Sequence, residues 1–167
     1  MSFKYSLLFI FLTFLLCAAC NNDQSTSKSE KQDKYVVMLS LDGFRYDYPD
    51  SIPTPNLDII AKKGVKAKSL KPAFPTKTFP NHYTMATGLY PDNHGIVLNS
   101  FYAPEIDKSY SMIDSSSRNN PEFYGGEPLW ETAEKNGLTA ATFFWVGSDV
   151  LGAKNKATYW ESYNKTI

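Results

Sequence analysis

Cysteine and histidine are scarce in this chain. Its 167 residues contain two cysteines, Cys17 and Cys20, and two histidines, His82 and His94. Because both cysteines lie within the first twenty residues, the rest of the chain has no disulfide framework. Neither charge is in excess, since Lys+Arg and Asp+Glu both count 17. That balance argues against a nucleic-acid-binding surface, which requires clustered Lys and Arg and a basic net charge.

The apolar run near the N-terminus is too short to cross a bilayer as a helix. It spans the ten residues LLFIFLTFLL (7–16), whereas a transmembrane helix needs about 20. A run of this length is typical of the hydrophobic part of a signal peptide, with Lys4 as the only charge in the first twenty residues. The sequence therefore predicts an export signal rather than a membrane span.

The residues that follow resemble a bacterial lipobox. Small Ala18 and Ala19 precede Cys20, which would be lipidated and become the mature N-terminus; Cys17 departs from the usual aliphatic residue at its position. This predicts a signal peptide over 1–19 and a protein held in the bacterial cell envelope by a lipid anchor, periplasmic or surface-exposed. The alternative is a redox or zinc-binding Cys-x-x-Cys, but it has no second cysteine pair.

Polar residues separate this leader from the rest of the chain. NNDQSTSKSEKQDK (21–34) contains no large apolar side chain and cannot bury enough surface to fold, so residues 20–34 are predicted to form a flexible tether. From Tyr35 the sequence becomes globular in character. With 43% hydrophobic and 15% aromatic residues overall, the chain can form a core.

Apolar runs and amphipathic segments alternate over 35–167. This strand–helix–strand order predicts an α/β domain with a mostly parallel sheet flanked by helices. Residues 95–98 fit either a strand or a loop. The predicted strands are 35–41, 65–74 and 138–146, and the predicted helices are 54–64, 80–88 and 127–137.

Two side chains are candidates for chemistry. Asp42 follows the apolar run 35–41, where an Asp-Gly pair could place a carboxylate beyond the end of a strand as a cation ligand, or could simply form a turn. Thr78 lies at or near the start of the helix over 80–88, where its hydroxyl could cap the helix or act as a nucleophile. A metal at Asp42 would activate such a nucleophile.

Three segments together resemble the nucleotide pyrophosphatase/phosphodiesterase family of the alkaline phosphatase superfamily. They are LSLDGFR, FPTKTFPNHYTMATGLYPDNHGIVLNS and EPLWETAEKNG with ATFFWVGSD, and the resemblance runs from about residue 36 to 163. It implies an alkaline-phosphatase-like core, two zinc ions, and hydrolysis of a phosphodiester through a covalent phosphothreonine. By motif, Thr78 is the nucleophile and Asp42 ligates the zinc ion that Thr78 approaches.

The resemblance also implies the substrate contacts. The side-chain N–H of Asn99 and the backbone N–H of Phe79 would hold a phosphate oxygen. The rings of Phe79 and Tyr163 would stack on a nucleobase, and Trp145 and Asp149 would form the pocket wall. The substrate would be a nucleotide or another small phosphodiester.

The metal ligands implied by the resemblance are incomplete in this sequence. After Asp149 there is Glu161 but no further Asp or His, so the remaining zinc ligands are expected beyond residue 167 and the chain is expected to be part of a longer domain. His82 and His94 could each bind a metal in isolation, but the resemblance assigns structural residues to both positions. The alternatives are a phosphomonoesterase or sulfatase of the same superfamily, and a non-catalytic truncated lipoprotein.

Overall fold

The computed structural model describes residues 34–150, 152 and 156–163 of the chain. The predicted signal peptide, Cys20 and all but the last residue of the predicted tether lie outside these residues. The chain divides into two compact units, Met1–Met38 and Leu39–Ile167. In the first unit, the described residues 34–38 are exposed and form no helix or strand. Over the described ranges, no helix is both long and apolar enough to cross a membrane.

The described part of the second unit is a partial α/β domain made mostly of short elements. The helices are α1 Tyr48–Ser51, α2 Pro55–Lys63, α3 Thr78–Thr87, α4 Pro91–His94, α5 Ser115–Arg118 and α6 Leu129–Lys135, with a 3₁₀ helix over Pro121–Phe123. The strands are β1 Ser100–Ala103, β2 Lys108–Ser111, β3 Ala141–Phe143 and β4 Tyr159–Glu161.

The four strands form two separate pairs. Strands β1 and β2 are antiparallel, with Phe101 opposite Tyr110. Strands β3 and β4 are parallel, with Thr142 opposite Trp160. Strand β3 lies within the predicted strand 138–146, and its parallel pairing agrees with the expected type of sheet.

All three predicted helices are present, each marked by local signals. Helix α2 has Pro55 in its first turn and ends at Gly64, as expected for 54–64. Helix α6 occupies the middle of 127–137. Helix α3 begins at Thr78, two residues before the predicted start, and ends at Gly88, whose φ of 70° lies in the left-handed region that favours glycine. Residues 95–98 form a loop.

Two predicted strands are absent from both sheets. Residues 35–41 and 65–74 form no strand in the structure, and Val36 and Val65 are 95% and 97% exposed. A run of apolar residues indicates a need for burial, but a strand also requires a neighbour to pair its N–H and C=O groups. Neither sheet of the described region supplies that neighbour, so the predictions of a buried strand over 35–41 and of a second strand over 65–74 were wrong for this structure.

Aromatic side chains build the core that supports α3. Phe79 and Tyr83 are buried on one face of the helix, four residues apart. The Phe79 ring lies edge-on to Tyr110, with centroids 6.4 Å apart, and Tyr110 packs against Phe123 at 5.2 Å. The Tyr110 and Tyr124 hydroxyls are also hydrogen-bonded at 2.8 Å. Edge-to-face packing of this kind fixes the orientation of α3 against β2.

Candidate active site

The N-terminus of α3 directs the Thr78 hydroxyl toward Asp42. Lys77 is the residue before the helix and Thr78 is its first residue, so Thr78 does not occupy the capping position. Its Oγ1 donates a hydrogen bond to Asp42 Oδ2 at 3.0 Å, on the exposed side of the helix. The hydroxyl therefore contacts a carboxylate 36 residues earlier in the chain instead of capping its own helix.

Asp42 is both a turn residue and the partner of Thr78. The Phe44 N–H donates to the Leu41 carbonyl at 3.2 Å, which closes a tight turn over Asp42 and Gly43. Gly43 has a φ of 67°, which glycine adopts without strain. The turn interpretation of the Asp-Gly pair therefore holds, and the turn presents the carboxylate to Thr78. A cation at Asp42 stays a prediction.

The loop before Thr78 is held by one asparagine on α3. Asn81 Nδ2 donates to the Pro75 carbonyl at 3.1 Å and to the Lys77 carbonyl at 2.9 Å. Its Oδ1 accepts from the Ala73 N–H at 2.7 Å. An amide that bonds three backbone groups fixes the path of residues 73–77 and so the position at which Thr78 begins the helix. Sequence reasoning did not single out Asn81.

Asn99 lies beside the same helix terminus, just before β1. Its Oδ1 accepts a hydrogen bond from the Phe79 N–H at 3.0 Å. The first N–H groups of a helix have no partner within the helix, and Asn99 satisfies one of them. The structure thus differs from the expectation that the Phe79 N–H faces an anion directly. Because Oδ1 is used by this bond, Nδ2 is the end of the Asn99 amide that is left to donate.

The aromatic pair expected to hold a base is closed in this structure. The Phe79 side chain is 1% exposed, and its ring meets the Tyr163 ring edge-on with centroids 5.6 Å apart and an interplanar angle of 89°. Rings in edge-to-face contact leave no gap for a base between them. The substrate-binding role expected of the Phe79 ring is therefore not supported here, because the buried face of α3 directs it into the core.

Asp149 lies buried rather than on an open pocket wall. It is 2% exposed, and its Oδ2 lies 3.7 Å from Arg118 Nε, too far for a hydrogen bond. Among the described residues, neither atom has a hydrogen-bond partner. Burial raises the pKa of the Asp149 carboxyl, and the Arg118 guanidinium partly offsets that effect. Arg118 also lies 5.5 Å from the centroid of the Tyr163 ring.

Sequence reasoning missed Arg118. It stands in a serine-rich segment with no motif of its own, and the only available signal was the general rule that a buried carboxylate needs a cationic neighbour. Trp145, the other residue expected at the pocket wall, is half-buried and donates from Nε1 to the His82 carbonyl at 3.2 Å.

Both histidines make internal hydrogen bonds. His94 is fully buried; its Nδ1 accepts from the Ile96 N–H at 3.2 Å, so Nε2 carries the proton and donates to Thr84 Oγ1 at 3.0 Å. Burial lowers the pKa of His94. His82 contacts Ser40 and the Thr78 carbonyl. Across the described residues, no group of three or more His, Cys, Asp or Glu side chains could hold a metal ion.

Asp42 and Thr78 nevertheless fit as part of a ligand set for a hard or borderline cation. A carboxylate oxygen and a hydroxyl oxygen 3.0 Å apart offer two suitable donors. They do not form a complete site by themselves. A complete cation site would need more ligands than these two.

Comparisons with known proteins identify the family. A family model described as type I phosphodiesterase/nucleotide pyrophosphatase matches residues 36–167. Venom phosphodiesterase 2 of Crotalus adamanteus is 40% identical over 153 residues, covering 90% of this chain and 18% of that protein. Ectonucleotide pyrophosphatase/phosphodiesterase family member 3 of Bos taurus is 42% identical over 134 residues, covering 79% of this chain and 15% of that protein.

A solved structure shares the fold. Murine ectonucleotide pyrophosphatase/phosphodiesterase 5, as an inactive threonine-to-alanine variant in complex with AMP, is 37% identical with a TM-score of 0.71, covering 77% of this chain and 34% of that one. The predicted fold class, an alkaline-phosphatase-like α/β core that is incomplete here, is thereby confirmed. The chain spans less than one fifth of the length of the curated relatives named above. It belongs to the type I phosphodiesterase/nucleotide pyrophosphatase family.

Proposed function

We propose that this chain carries the nucleophile of a zinc-dependent hydrolase that cleaves phosphodiester or pyrophosphate bonds in nucleotide-type substrates. Family membership supports the type of bond. The observation that carries the proposal is the hydrogen bond from Thr78 Oγ1 to Asp42 Oδ2 at the exposed start of α3. The AMP complex and the inactive threonine-to-alanine variant of the murine neighbour agree with a nucleotide substrate and a threonine-dependent reaction.

Thr78 acts as the nucleophile in two steps. Its Oγ1 forms a bond to phosphorus as the bond from phosphorus to the leaving oxygen breaks and the hydroxyl proton passes to that oxygen, which gives a phosphorylated threonine and a released alcohol or phosphate. Water then adds to phosphorus, the bond to Oγ1 breaks, and Thr78 regains its proton. In the resting state Asp42 Oδ2 accepts a hydrogen bond from the hydroxyl and so orients Oγ1.

Two zinc ions are part of the proposal, with Asp42 and Thr78 as ligands of one of them. Bound zinc would lower the pKa of the hydroxyl and neutralise the anionic oxygens that repel a nucleophile. The ligands that complete both sites are expected outside the described residues.

Asn99 contributes a donor for the phosphate. Because its Oδ1 accepts from the Phe79 N–H, its Nδ2 is the group available to donate to a phosphate oxygen. Tyr163 remains a predicted contact of the base, and Trp145 and Asp149 remain predicted residues of the pocket wall. Of these, Tyr163 would have to separate from the Phe79 ring to stack on a base.

A comparison of two substrates tests the proposed reaction. The full-length gene product should hydrolyse bis(p-nitrophenyl) phosphate faster than p-nitrophenyl phosphate. A chelator should remove that activity and zinc should restore it. A preference for the monoester would favour the phosphomonoesterase alternative, and turnover that survives complete removal of metal would contradict the proposed chemistry.

Attachment to the bacterial envelope is a separate proposal. It rests on the leader sequence and Cys20, outside the described residues. Replacing Cys20 with Ala should move the protein from the detergent phase to the aqueous phase in detergent partitioning. Unchanged partitioning would contradict lipidation at this cysteine.

A further inference from the structure

The ring of His82 bridges the two segments that carry Asp42 and Thr78. His82 Nδ1 lies 2.8 Å from the Thr78 carbonyl oxygen, one helical turn earlier on α3. Its Nε2 lies 2.9 Å from Ser40 Oγ, two residues before Asp42. One side chain thus touches both halves of the candidate site without belonging to either.

The hydrogen-bond partners determine where the ring carries its proton. A carbonyl oxygen can only accept, so Nδ1 must donate to Thr78. In the neutral ring Nε2 is then the acceptor, and the Ser40 hydroxyl donates to it. The hydrogen bonds therefore run in one order: the Ser40 hydroxyl donates to the imidazole, and the imidazole donates to the carbonyl of Thr78, the residue that bears the nucleophile.

Two parallel connections join the same two segments. The exposed one runs from Thr78 to Asp42 and the partly buried one from His82 to Ser40. Thr78 and His82 are four residues apart and share a helix face, while Ser40 and Asp42 are two apart in the segment opposite. Because Asp42 lies on an exposed turn, the partly buried connection is the better placed to hold the two segments in register.

Trp145 makes a third contact with the same residue. Its Nε1 donates to the His82 carbonyl at 3.2 Å, and the two rings meet edge-on with centroids 5.8 Å apart. The tryptophan ring packs against the edge of the imidazole. His82 is thereby packed from one side and hydrogen-bonded at both ring nitrogens.

We propose that His82 is a positioning residue that aligns Thr78 with Asp42 by linking the Thr78 carbonyl to Ser40. This proposal rests on the proposed function, because alignment matters only if Thr78 Oγ1 reacts. Small displacements at a reacting atom are costly, with about 1 Å worth about 100-fold in rate in other enzymes. Loss of the link should therefore lower kcat and leave substrate binding nearly unchanged.

The test compares variants of the full-length gene product, loaded with zinc, on bis(p-nitrophenyl) phosphate. Ser40→Ala and His82→Asn should each lower kcat about ten-fold or more, with KM changed less than about two-fold. The double variant should be no worse than the poorer single variant, since both remove one link. His82→Gln, whose longer amide can reach Ser40, should keep more activity than His82→Asn.

Thr84→Val is the matched control. It removes a different side-chain hydrogen bond of α3, the 3.0 Å contact with His94, and should lower Tm about as much as Ser40→Ala without lowering kcat. Unchanged kcat in Ser40→Ala and His82→Asn would overturn the positioning role. An equal loss of kcat in Thr84→Val would also overturn it, because the effect would then be general destabilisation of the helix.

A measurement independent of turnover checks the link itself. In ¹⁵N-histidine-labelled protein, the His82 resonances should show a protonated Nδ1 and a bare Nε2, and Ser40→Ala should shift the Nε2 resonance. A protonated Nε2 with a bare Nδ1 would overturn the proposal. A wild-type protein without diesterase turnover would overturn the proposed function together with the positioning role, whereas active wild type with unaffected variants would overturn His82 alone.

Discussion

The residues before and after position 75 differ sharply in how they are packed. From α3 onward, aromatic side chains such as Phe79 and Tyr110 are almost fully buried and contact one another edge-on. Over 39–74, by contrast, large apolar side chains including Leu70 and Phe74 are mostly exposed. Residues 39–74 and 78–150 nevertheless each contribute one member of the Thr78–Asp42 pair.

Thr78 and Asp42 are therefore held in place by different kinds of contact. Thr78 is anchored by the core beneath α3 and by the Asn81 bonds to the preceding loop. Asp42 lies in a tight turn, accepts a hydrogen bond from Thr78, and follows by two residues Ser40, which is bonded to His82. The site is therefore a rigid nucleophile facing a carboxylate whose position is set by a small number of hydrogen bonds.

The largest expected effect on turnover is that of replacing Thr78. Thr78→Ala should lower turnover of bis(p-nitrophenyl) phosphate by about 10⁴-fold or more, because no other atom replaces the nucleophile. Thr78→Ser, which keeps the hydroxyl, should stay within about ten-fold of wild type. Zinc content measured by metal analysis should change little in either variant. Substantial turnover by Thr78→Ala would show that Thr78 does not form the bond to phosphorus.

The difference in packing between the two regions should appear in the unfolding free energy lost when a large apolar side chain is replaced by alanine. Ile96→Ala removes a fully buried side chain and should cost about 2–5 kcal/mol of unfolding free energy. Leu70→Ala, at a position 79% exposed, should cost no more than about 0.5 kcal/mol. Denaturant titration of the 167-residue chain measures both. Equal costs would contradict the contrast between the two regions.

Variants of Asn99 test whether its side chain donates a hydrogen bond to the phosphate. Asn99→Ala should lower kcat by about 10²–10³-fold, as loss of one oxyanion donor does elsewhere. Asn99→Asp keeps an acceptor for the Phe79 N–H but loses the donor, so it should be as inactive as Asn99→Ala while retaining more stability. An active Asn99→Asp variant would limit Asn99 to supporting the helix terminus.

The smallest expected effect is the pH dependence of stability caused by His94 in the packed region. Burial lowers the pKa of His94 below its ordinary value of 6.5, and its Nδ1 is committed as an acceptor. As the pH falls through that value, the unfolded chain takes up a proton that the folded state does not. Unfolding free energy should therefore fall by at most about 1.4 kcal/mol per pH unit below pH 6.5.

A non-titrating variant isolates this contribution. His94→Gln should lack the His94 part of the pH dependence between about pH 7 and 5. Denaturant titrations at several pH values measure the difference between variant and wild type. Parallel stability profiles for the two proteins would contradict the assignment.

Local signals predicted the helices, and long-range pairing explains what was missed. Pro55 and Gly64 bound α2, and these are properties of neighbouring residues. The strand over 35–41 was predicted from an apolar run and the strand over 65–74 from apolar/polar alternation, but pairing depends on a partner that neither pattern identifies. Strand β4, which pairs with β3, carries no comparable signal of its own.

The candidate site was likewise predicted only in part from the sequence. Asp42 and Thr78 were candidates from their positions after an apolar run and near a helix start, the motif resemblance assigned their roles, and the structure brings their side chains into contact. The burial of the Phe79 ring, the Arg118–Asp149 pair and the bridging role of His82 depend on side-chain directions after folding. No spacing in the sequence encodes those contacts, so only the structure could reveal them.

The most direct test of the central claim is to trap the covalent intermediate. The full-length gene product is mixed with bis(p-nitrophenyl) phosphate, quenched in acid during turnover, digested and examined by mass spectrometry. We expect a p-nitrophenyl phosphoryl group on Thr78, and no such adduct in Thr78→Ala. An adduct on any other residue would contradict the assignment of Thr78 as the nucleophile.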